Sequence, residues 1–214
     1  MSEVAAGWVD PEVAAEFPEL RLHALTLAAR SGRSPEELRE RLRELSDRFR
    51  GAQAVVLRQR PVPWAYRVFF RHIGLDPDVD RTPVEALALE RLKAGVFRSR
   101  SLLDDALTIA VMETGVPVWA LDADRVEGEL GLRPAARGER FGAGEYASDL
   151  PAGRLLVADD EGPVGVLFGA LAPGRGVGPE TTRMTLFSVQ VAGVPDIHVE
   201  EALWTVADIV GGEG

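Results

Sequence analysis

Residues 90–133 read ERLKAGVFRSRSLLDDALTIAVMETGVPVWALDADRVEGELGLR, and the rest of the chain is organised around them. Gly95 ends one helix, and an arginine-bearing link leads into a second, apolar helix that runs to Met112. A short strand, Val118 to Leu121, then reaches a turn at Asp122. Polar residues inside so apolar a segment are candidates for a role other than solubility.

Outward from this stretch, the pattern predicts helices first and strands later. Apolar spacing predicts three earlier helices, at residues 34–49, 61–73 and 83–94, and one early strand, at residues 20–28. It also predicts three late strands, at residues 154–159, 163–168 and 182–191, and a closing helix from residue 195 onward. This order favours an α+β fold over a wound parallel sheet. We expect residues 1–59 to form an N-terminal extension packed on a domain of residues 60–214.

Two sequence patterns predict capped helix starts. Ser34-Pro35-Glu36-Glu37 and Thr82-Pro83-Val84-Glu85 each combine a hydroxyl residue, a proline and a glutamate three positions later. In a capping box of this kind, the hydroxyl accepts a hydrogen bond from a backbone N–H of the first turn.

Composition narrows the classes of function. The net charge of −10 argues against non-specific nucleic-acid binding driven by the electrostatic field of the whole protein. It does not exclude a local basic face. No apolar run approaches a membrane span, and no export signal is apparent, so we expect a cytoplasmic protein without membrane contact. There is no cysteine, and the three histidines lack metal-site spacing, so we expect neither a metal nor a cofactor.

The positive charge is almost entirely arginine, and six arginines lie close together in sequence: Arg67, Arg71, Arg81, Arg91, Arg98 and Arg100. One interpretation is ordinary salt bridges to Asp78, Glu85 and Glu90. The other is recognition of an anion, either an RNA backbone or a carboxylate. Asp105 lies inside the apolar helix, where a carboxylate needs a partner; Arg100 or a backbone turn is the nearest.

Several short motifs occur in an order typical of one known family. They are Gly95–Arg98 (GVFR), Gly115–Asp122 (GVPVWALD), Ala158–Pro163 (ADDEGP), Glu180–Leu186 (ETTRMTL), Arg67–Gly74 (RVFFRHIG) and Arg81–Leu87 (RTPVEAL). Together they resemble the B3/B4 editing domain of the phenylalanyl-tRNA synthetase beta subunit and, more closely, its free-standing relatives. The resemblance covers about residues 60–210.

The resemblance implies an α+β domain with a sandwich-like core and a strand within residues 125–133. In the synthetase, this domain hydrolyses tyrosine wrongly attached to the phenylalanine tRNA. Its pocket holds the amino-acid moiety while an oriented water attacks the ester.

The chain departs from the family where the family keeps polar pocket residues. Counted from Asp122, the family's Thr-Asn falls on Leu107 and Thr108, and its histidine falls on Trp119. The glutamate that reads the tyrosine hydroxyl falls on Phe187. A pocket lined by these apolar side chains would not select a hydroxylated amino acid by hydrogen bonding.

Two hypotheses follow. The first is a free-standing relative of the editing domain that binds aminoacyl-tRNA or an amino-acid-like ligand and hydrolyses a mischarged ester. The second is a non-catalytic binding or interaction module that kept the fold and lost the site. The ligand-pocket candidates are Asp105, Leu107, Thr108, Glu113, Trp119, Thr185 and Phe187, and the RNA or anion contacts are Arg67, Arg71, Arg98 and Arg100. No catalytic residue is assigned, and the oligomeric state stays open.

Overall fold

The computed structural model describes residues 3–30, 32–49, 51–142 and 147–211. Within these ranges the helices are α1 Pro11–Glu16, α2 Glu36–Arg48, α3 Gly51–Leu57, α4 Pro61–His72, α5 Pro83–Ala94, α6 Leu102–Thr114 and α7 Asp196–Gly211. The strands are β1 Ala5–Ala6, β2 Trp8–Val9, β3 Arg21–Ala28, β4 Val118–Asp122, β5 Gly131–Pro134, β6 Arg140–Phe141, β7 Ser148–Asp149, β8 Leu155–Ala158, β9 Pro163–Val166 and β10 Arg183–Gln190. The predicted α+β class is confirmed. No helix in the described ranges combines the length and apolar character needed to cross a membrane.

Two four-stranded sheets form the β part of the fold. The first has the order β1-β3-β10-β4, and all its neighbours are antiparallel. The second has the order β2-β5-β8-β9, in which only the short pair β2 and β5 is parallel. β6 and β7 form a separate two-stranded sheet. The segment before residue 60 therefore supplies strands to both larger sheets.

Helices α6 and α7 pack against each other, and α7 also lies against β3 and β10. One continuous apolar core joins these helices to both sheets, through fully buried side chains such as Leu22, Leu121, Met184 and Leu203. Burial of this kind contributes about 25 cal/mol for each Å² of apolar surface removed from water. The core fixes α6 and β4, which carry most of the predicted pocket residues.

The boundaries of α6 follow from its sequence. The Ser101 hydroxyl accepts a hydrogen bond from the Asp104 N–H at 3.1 Å, which satisfies one free donor of the first turn. Gly115, with φ of 81°, ends the helix in the left-handed region that glycine adopts without strain. The predicted helix is thus confirmed, two residues longer than expected.

The prediction that Ser34 and Thr82 cap their helices is wrong, because their hydroxyls bond to carboxylates and not to backbone N–H groups. Neither hydroxyl caps its helix. Instead, Ser34 donates to the Asp105 carboxylate at 2.6 Å, and Thr82 donates to the Glu85 carboxylate at 2.9 Å. Both carboxylates are buried, and a buried charge without hydrogen-bond donors costs more than an uncapped helix end that water can reach.

The strand expected within residues 125–133 is also mostly absent. A single 3₁₀ turn occupies Ala123–Arg125, and the strand begins only at Gly131. Between them, the Glu127 N–H donates to the Asp159 carboxylate, and Glu127 O accepts from the Asp160 N–H. These bonds hold the segment as a loop and leave a strand of four residues, Gly131–Pro134.

Candidate functional site

A cavity of about 380 Å³ lies between α5, the link at residues 95–101, α6 and the start of β4. This volume is within the usual range of small-molecule sites. The side chains around it are Arg81, Pro83, Ala86, Leu87, Glu90, Arg91, Ala94, Val96, Phe97, Arg98, Arg100, Asp104, Leu107, Thr108, Val111, Pro117, Val118, Trp119 and Phe168. Five of the predicted site residues therefore surround one space: Leu107, Thr108, Trp119, Arg98 and Arg100.

The floor of the cavity is aromatic. Trp119 on β4 stands opposite Phe187 on β10, and the two rings stack with centroids 5.5 Å apart and planes inclined by 13°. Phe187 is buried behind Trp119 and does not reach the cavity. The two positions where the family keeps polar groups thus form one stacked apolar pair. The faces of these two rings favour contact with an apolar group over a hydroxyl.

Phe168 completes the floor from the loop after β9. Its ring lies 6.0 Å from Trp119 and contacts Tyr66, Phe69 and Phe70 on α4. It has φ of 57°, an unfavourable conformation for a bulky residue. The four ring contacts offset this strain and hold the Phe168 side chain against the cavity.

The rim of the cavity is basic. Arg81, Arg91, Arg98 and Arg100 line it, against only Glu90 and Asp104 of opposite charge. Arg100 forms an exposed ion pair with Glu90 at 3.5 Å, and Arg91 donates to the Ser46 carbonyl at 3.1 Å. Arg81 and Arg98 make no ion pair with any part of the chain that the structure describes. Two guanidinium groups are therefore available for an anion at the mouth of an apolar cavity.

Asp105 lies behind this wall and not in it. It is buried, and its carboxylate accepts hydrogen bonds from the Ser34 hydroxyl at 2.6 Å, the Ser99 hydroxyl at 2.5 Å and the Arg100 backbone N–H at 3.1 Å. The sequence suggested either the Arg100 side chain or a backbone turn as the partner of Asp105, and the structure shows the backbone N–H of Arg100. These bonds tie the arginine-bearing link to α6, so Asp105 shapes the cavity from outside.

Glu113 and Thr185 also lie away from the cavity. Glu113 pairs with Arg41 at 2.7 Å, on the side of α6 that faces α2. Thr185 is buried, shares a hydrogen bond of 3.0 Å with Thr26, and lines a separate cavity of about 240 Å³.

Arg67 and Arg71 do not line this cavity. Arg67 is buried and donates to Glu85 at 2.6 Å and to Asp78 at 2.8 Å. Burial opposes its charge, but the hydrogen bonds and charges of Asp78 and Glu85 outweigh burial and raise the pKa of Arg67. The same hydrogen bond from Arg67 holds the pKa of Asp78 below its usual range. Arg71 lies over the Trp64 ring, 5.5 Å from its centroid.

Several lining residues were not assigned to the pocket from the sequence, and Asp104 and Phe168 are the two that matter most for its chemistry and shape. Asp104 lies one helical turn before Thr108, so the two share one face of the helix. This spacing could have identified Asp104 as a lining residue. Phe168 had no such signal, because a contact between the loop after β9 and α4 depends on the tertiary fold.

Other cavities are present, and one of about 400 Å³ lies between α1, the end of α4 and β8. None of the predicted site residues lines it. In the described ranges, no three or more His, Asp or Glu side chains are grouped as a metal site would require. The cavity between α5 and α6 is therefore the candidate site.

Comparison with known proteins gives consistent results. A family model described as the B3/4 domain matches residues 65–196. The phenylalanine–tRNA ligase beta subunit of Streptomyces avermitilis is 35% identical over 94 residues, which are 44% of this chain and 11% of that subunit. That of Leifsonia xyli is 33% identical over 100 residues, 46% of this chain and 12% of the subunit. The chain thus corresponds to a small part of these relatives.

Among solved structures, an N-terminal fragment of the phenylalanyl-tRNA synthetase beta subunit from Pyrococcus horikoshii matches 50% of this chain and 40% of the fragment. The identity is 13% and the TM-score is 0.40. The family model covers more than half of the chain, including α5, α6 and β4, which line the candidate site, and β10, which pairs with β4. The chain belongs to the B3/4 domain family.

Proposed function

We propose that this protein binds the aminoacylated end of a tRNA in the cavity between α5 and α6 and hydrolyses the aminoacyl ester. The observation that carries the proposal is the cavity itself, with an aromatic floor and two arginines at its mouth that form no ion pair among the described residues. An aminoacyl ester on RNA offers both matching parts, an apolar side chain and a nearby phosphate. The membership in the B3/4 family supports the same ligand class.

The proposed reaction needs only water. The water oxygen attacks the ester carbonyl, the bond to the ribose oxygen breaks, and that oxygen leaves with a proton, so the products are a free amino acid and an intact tRNA. Holding the ester and water in a fixed orientation supplies much of such a rate enhancement. Donors at the cavity rim other than the phosphate-binding pair, such as Arg100, would stabilise the negative charge that develops on the carbonyl oxygen.

A second candidate function is binding without hydrolysis. The observation that favours it is the stacked pair of Trp119 and Phe187, which stands where the family keeps a histidine and a glutamate. A site that lost these groups would retain affinity for the aminoacyl end and lack the polar groups that orient water. A cytoplasmic location accords with either candidate, because charged tRNA is present there.

Deacylation of a panel of mischarged tRNAs, carrying apolar and hydroxylated amino acids, separates the candidates. We expect faster hydrolysis than in buffer for at least one apolar aminoacyl group. The A86W variant, which fills the cavity from α5, should abolish it, while A52W on α3 should not. Ala52 and Ala86 are both exposed helical positions, and only Ala86 lines the cavity.

Two other outcomes have distinct meanings. Tight binding of charged tRNA without hydrolysis would support the second candidate. Neither hydrolysis nor binding of any tRNA at low salt would refute both, because a phosphate-contacting site is strongest under that condition.

A further inference from the structure

Asp104 and Thr108 form a polar strip along one wall of the candidate cavity. They lie one turn apart on α6 and both line the space. The strip faces an otherwise apolar floor that includes Leu107 and Trp119. A polar pair beside an apolar floor is a common way of fixing a ligand's orientation.

The hydrogen bonds of this pair leave it as an acceptor. The Thr108 hydroxyl donates its only proton to the Asp104 carbonyl at 2.8 Å, so its oxygen can offer only lone pairs to the cavity. The Asp104 carboxylate accepts from the Ser101 hydroxyl at 2.7 Å through Oδ2. Its other oxygen, Oδ1, accepts no hydrogen bond from the described residues.

The rim arginines do not neutralise this carboxylate. Arg98 and Arg100 line the same cavity, yet neither forms an ion pair with Asp104 in the described chain. Negative and positive charge are therefore held apart around the cavity. A ligand that carries a cationic group and an anionic group, separated by a few bonds, would satisfy both sides.

We propose that Asp104 and Thr108 bind the free α-ammonium group of the ligand. The inference rests on the proposed function and defines its substrate class: an aminoacyl group with an unblocked α-amine and an apolar side chain. The ammonium donates to Asp104 Oδ1 and to the Thr108 hydroxyl oxygen, the side chain lies on Trp119 and Phe168, and the phosphate meets Arg98. An N-acylated aminoacyl group has lost the charge and is excluded.

The test uses two stable probes, in which an amide replaces the ester. One is 3′-(L-phenylalanylamino)-3′-deoxyadenosine 5′-phosphate, and the other is the same molecule acetylated on its α-amine. Calorimetric titration should show binding of the free amine and at least about tenfold weaker binding of the acetylated probe, since a charged hydrogen bond is lost. The corresponding leucyl pair should give the same discrimination.

Variants assign the effect to the two residues. D104N and T108V should each reduce the discrimination between the two probes. T108S keeps the hydroxyl, so it should discriminate between them as the parent protein does. Thermal unfolding of each variant establishes that the fold is retained. If the acetylated probe binds as tightly as the free amine, the ammonium site is refuted while the proposed function stands. If neither the phenylalanyl nor the leucyl probe binds, the ammonium site is refuted; the proposed function falls with it only if the deacylation and tRNA-binding assays are negative as well.

Discussion

Arg67 on α4 and Arg98 in the link between α5 and α6 are both arginines, but they differ in burial and in ion pairing. Arg67 is enclosed, 3% exposed, and hydrogen-bonded to two carboxylates. Arg98 is exposed at a cavity mouth, with no ion pair in the described chain. The first arrangement contributes to the fold, and the second leaves a charge available to a ligand.

Burial and pairing, and not residue type, decide which role an arginine takes. A buried guanidinium without its carboxylates would be left with an uncompensated charge, so its partners must always be present. An exposed guanidinium loses little in water and can exchange solvent for a phosphate or carboxylate. This difference predicts separate effects on stability and on binding.

The largest effect is expected from R67M. Removal of the guanidinium leaves Glu85 buried with only the Thr82 hydroxyl and a 3.8 Å contact to Arg58, which should cost about 3–5 kcal/mol of unfolding free energy. Urea denaturation measures this loss. R71M is the matched control on the same helix, because Arg71 is exposed, and it should cost less than about 1 kcal/mol. Equal losses for the two variants would contradict the comparison.

An intermediate effect is expected at the partly exposed pair of Arg133 and Glu139. Arg133 donates to both carboxylate oxygens, at 2.6 and 2.8 Å, and these hydrogen bonds hold the pKa of Glu139 below its ordinary value of 4.5. Because the folded pKa is depressed, the pair stabilises the fold above pH 4.5, and the contribution is lost as the pH falls through the folded pKa.

E139Q should therefore be less stable than the parent protein by about 1 kcal/mol at pH 7. The difference should shrink as the pH falls from 4.5 through the lower folded pKa, because Glu139 of the parent is protonated first in the unfolded chain and then in the folded one. Denaturant unfolding at a series of pH values measures both. A difference that is constant with pH would show that the pair's charge contributes nothing.

The smallest effect on stability is expected from the double variant R81A/R98A. Neither guanidinium has an ion-pair partner to lose in the described chain, so the change should stay within about 0.5 kcal/mol. Binding of charged tRNA should instead weaken, with a shallower dependence on salt, because fewer counterions are released. R137A, at an exposed arginine outside the cavity lining, is the control and should change neither.

The elements that were predicted well carry their signal within a few residues. The alternation of Arg21–Ala28 and of Arg183–Gln190, and the glycine that ends α6, are local patterns, and the structure has strands and a helix end there. The hydroxyl of Ser34 was misassigned because its partner, Asp105, is 71 residues away. Local spacing cannot show that a distant carboxylate competes for a cap.

Part of the candidate cavity could be located from the sequence in the same way. Leu107, Thr108 and Trp119 could be placed by counting from Asp122, and they lie around one cavity. The sequence places Arg67 in a helix and Arg98 in a link between helices, but it does not show which of them is paired. Which of them meets a carboxylate depends on how the loop at Asp78 and the first turn of α5 pack against α4.

The position of Trp119 at the cavity floor gives the protein an intrinsic optical reporter. Indole emission responds to polarity and to neighbouring rings, and this indole borders the proposed ligand while it stacks on Phe187. The chain has three other tryptophans, Trp8, Trp64 and Trp204, and none of them lines this cavity. Replacing those three with phenylalanine would leave a single tryptophan, at the site, and its indole emission would follow occupancy without any attached label.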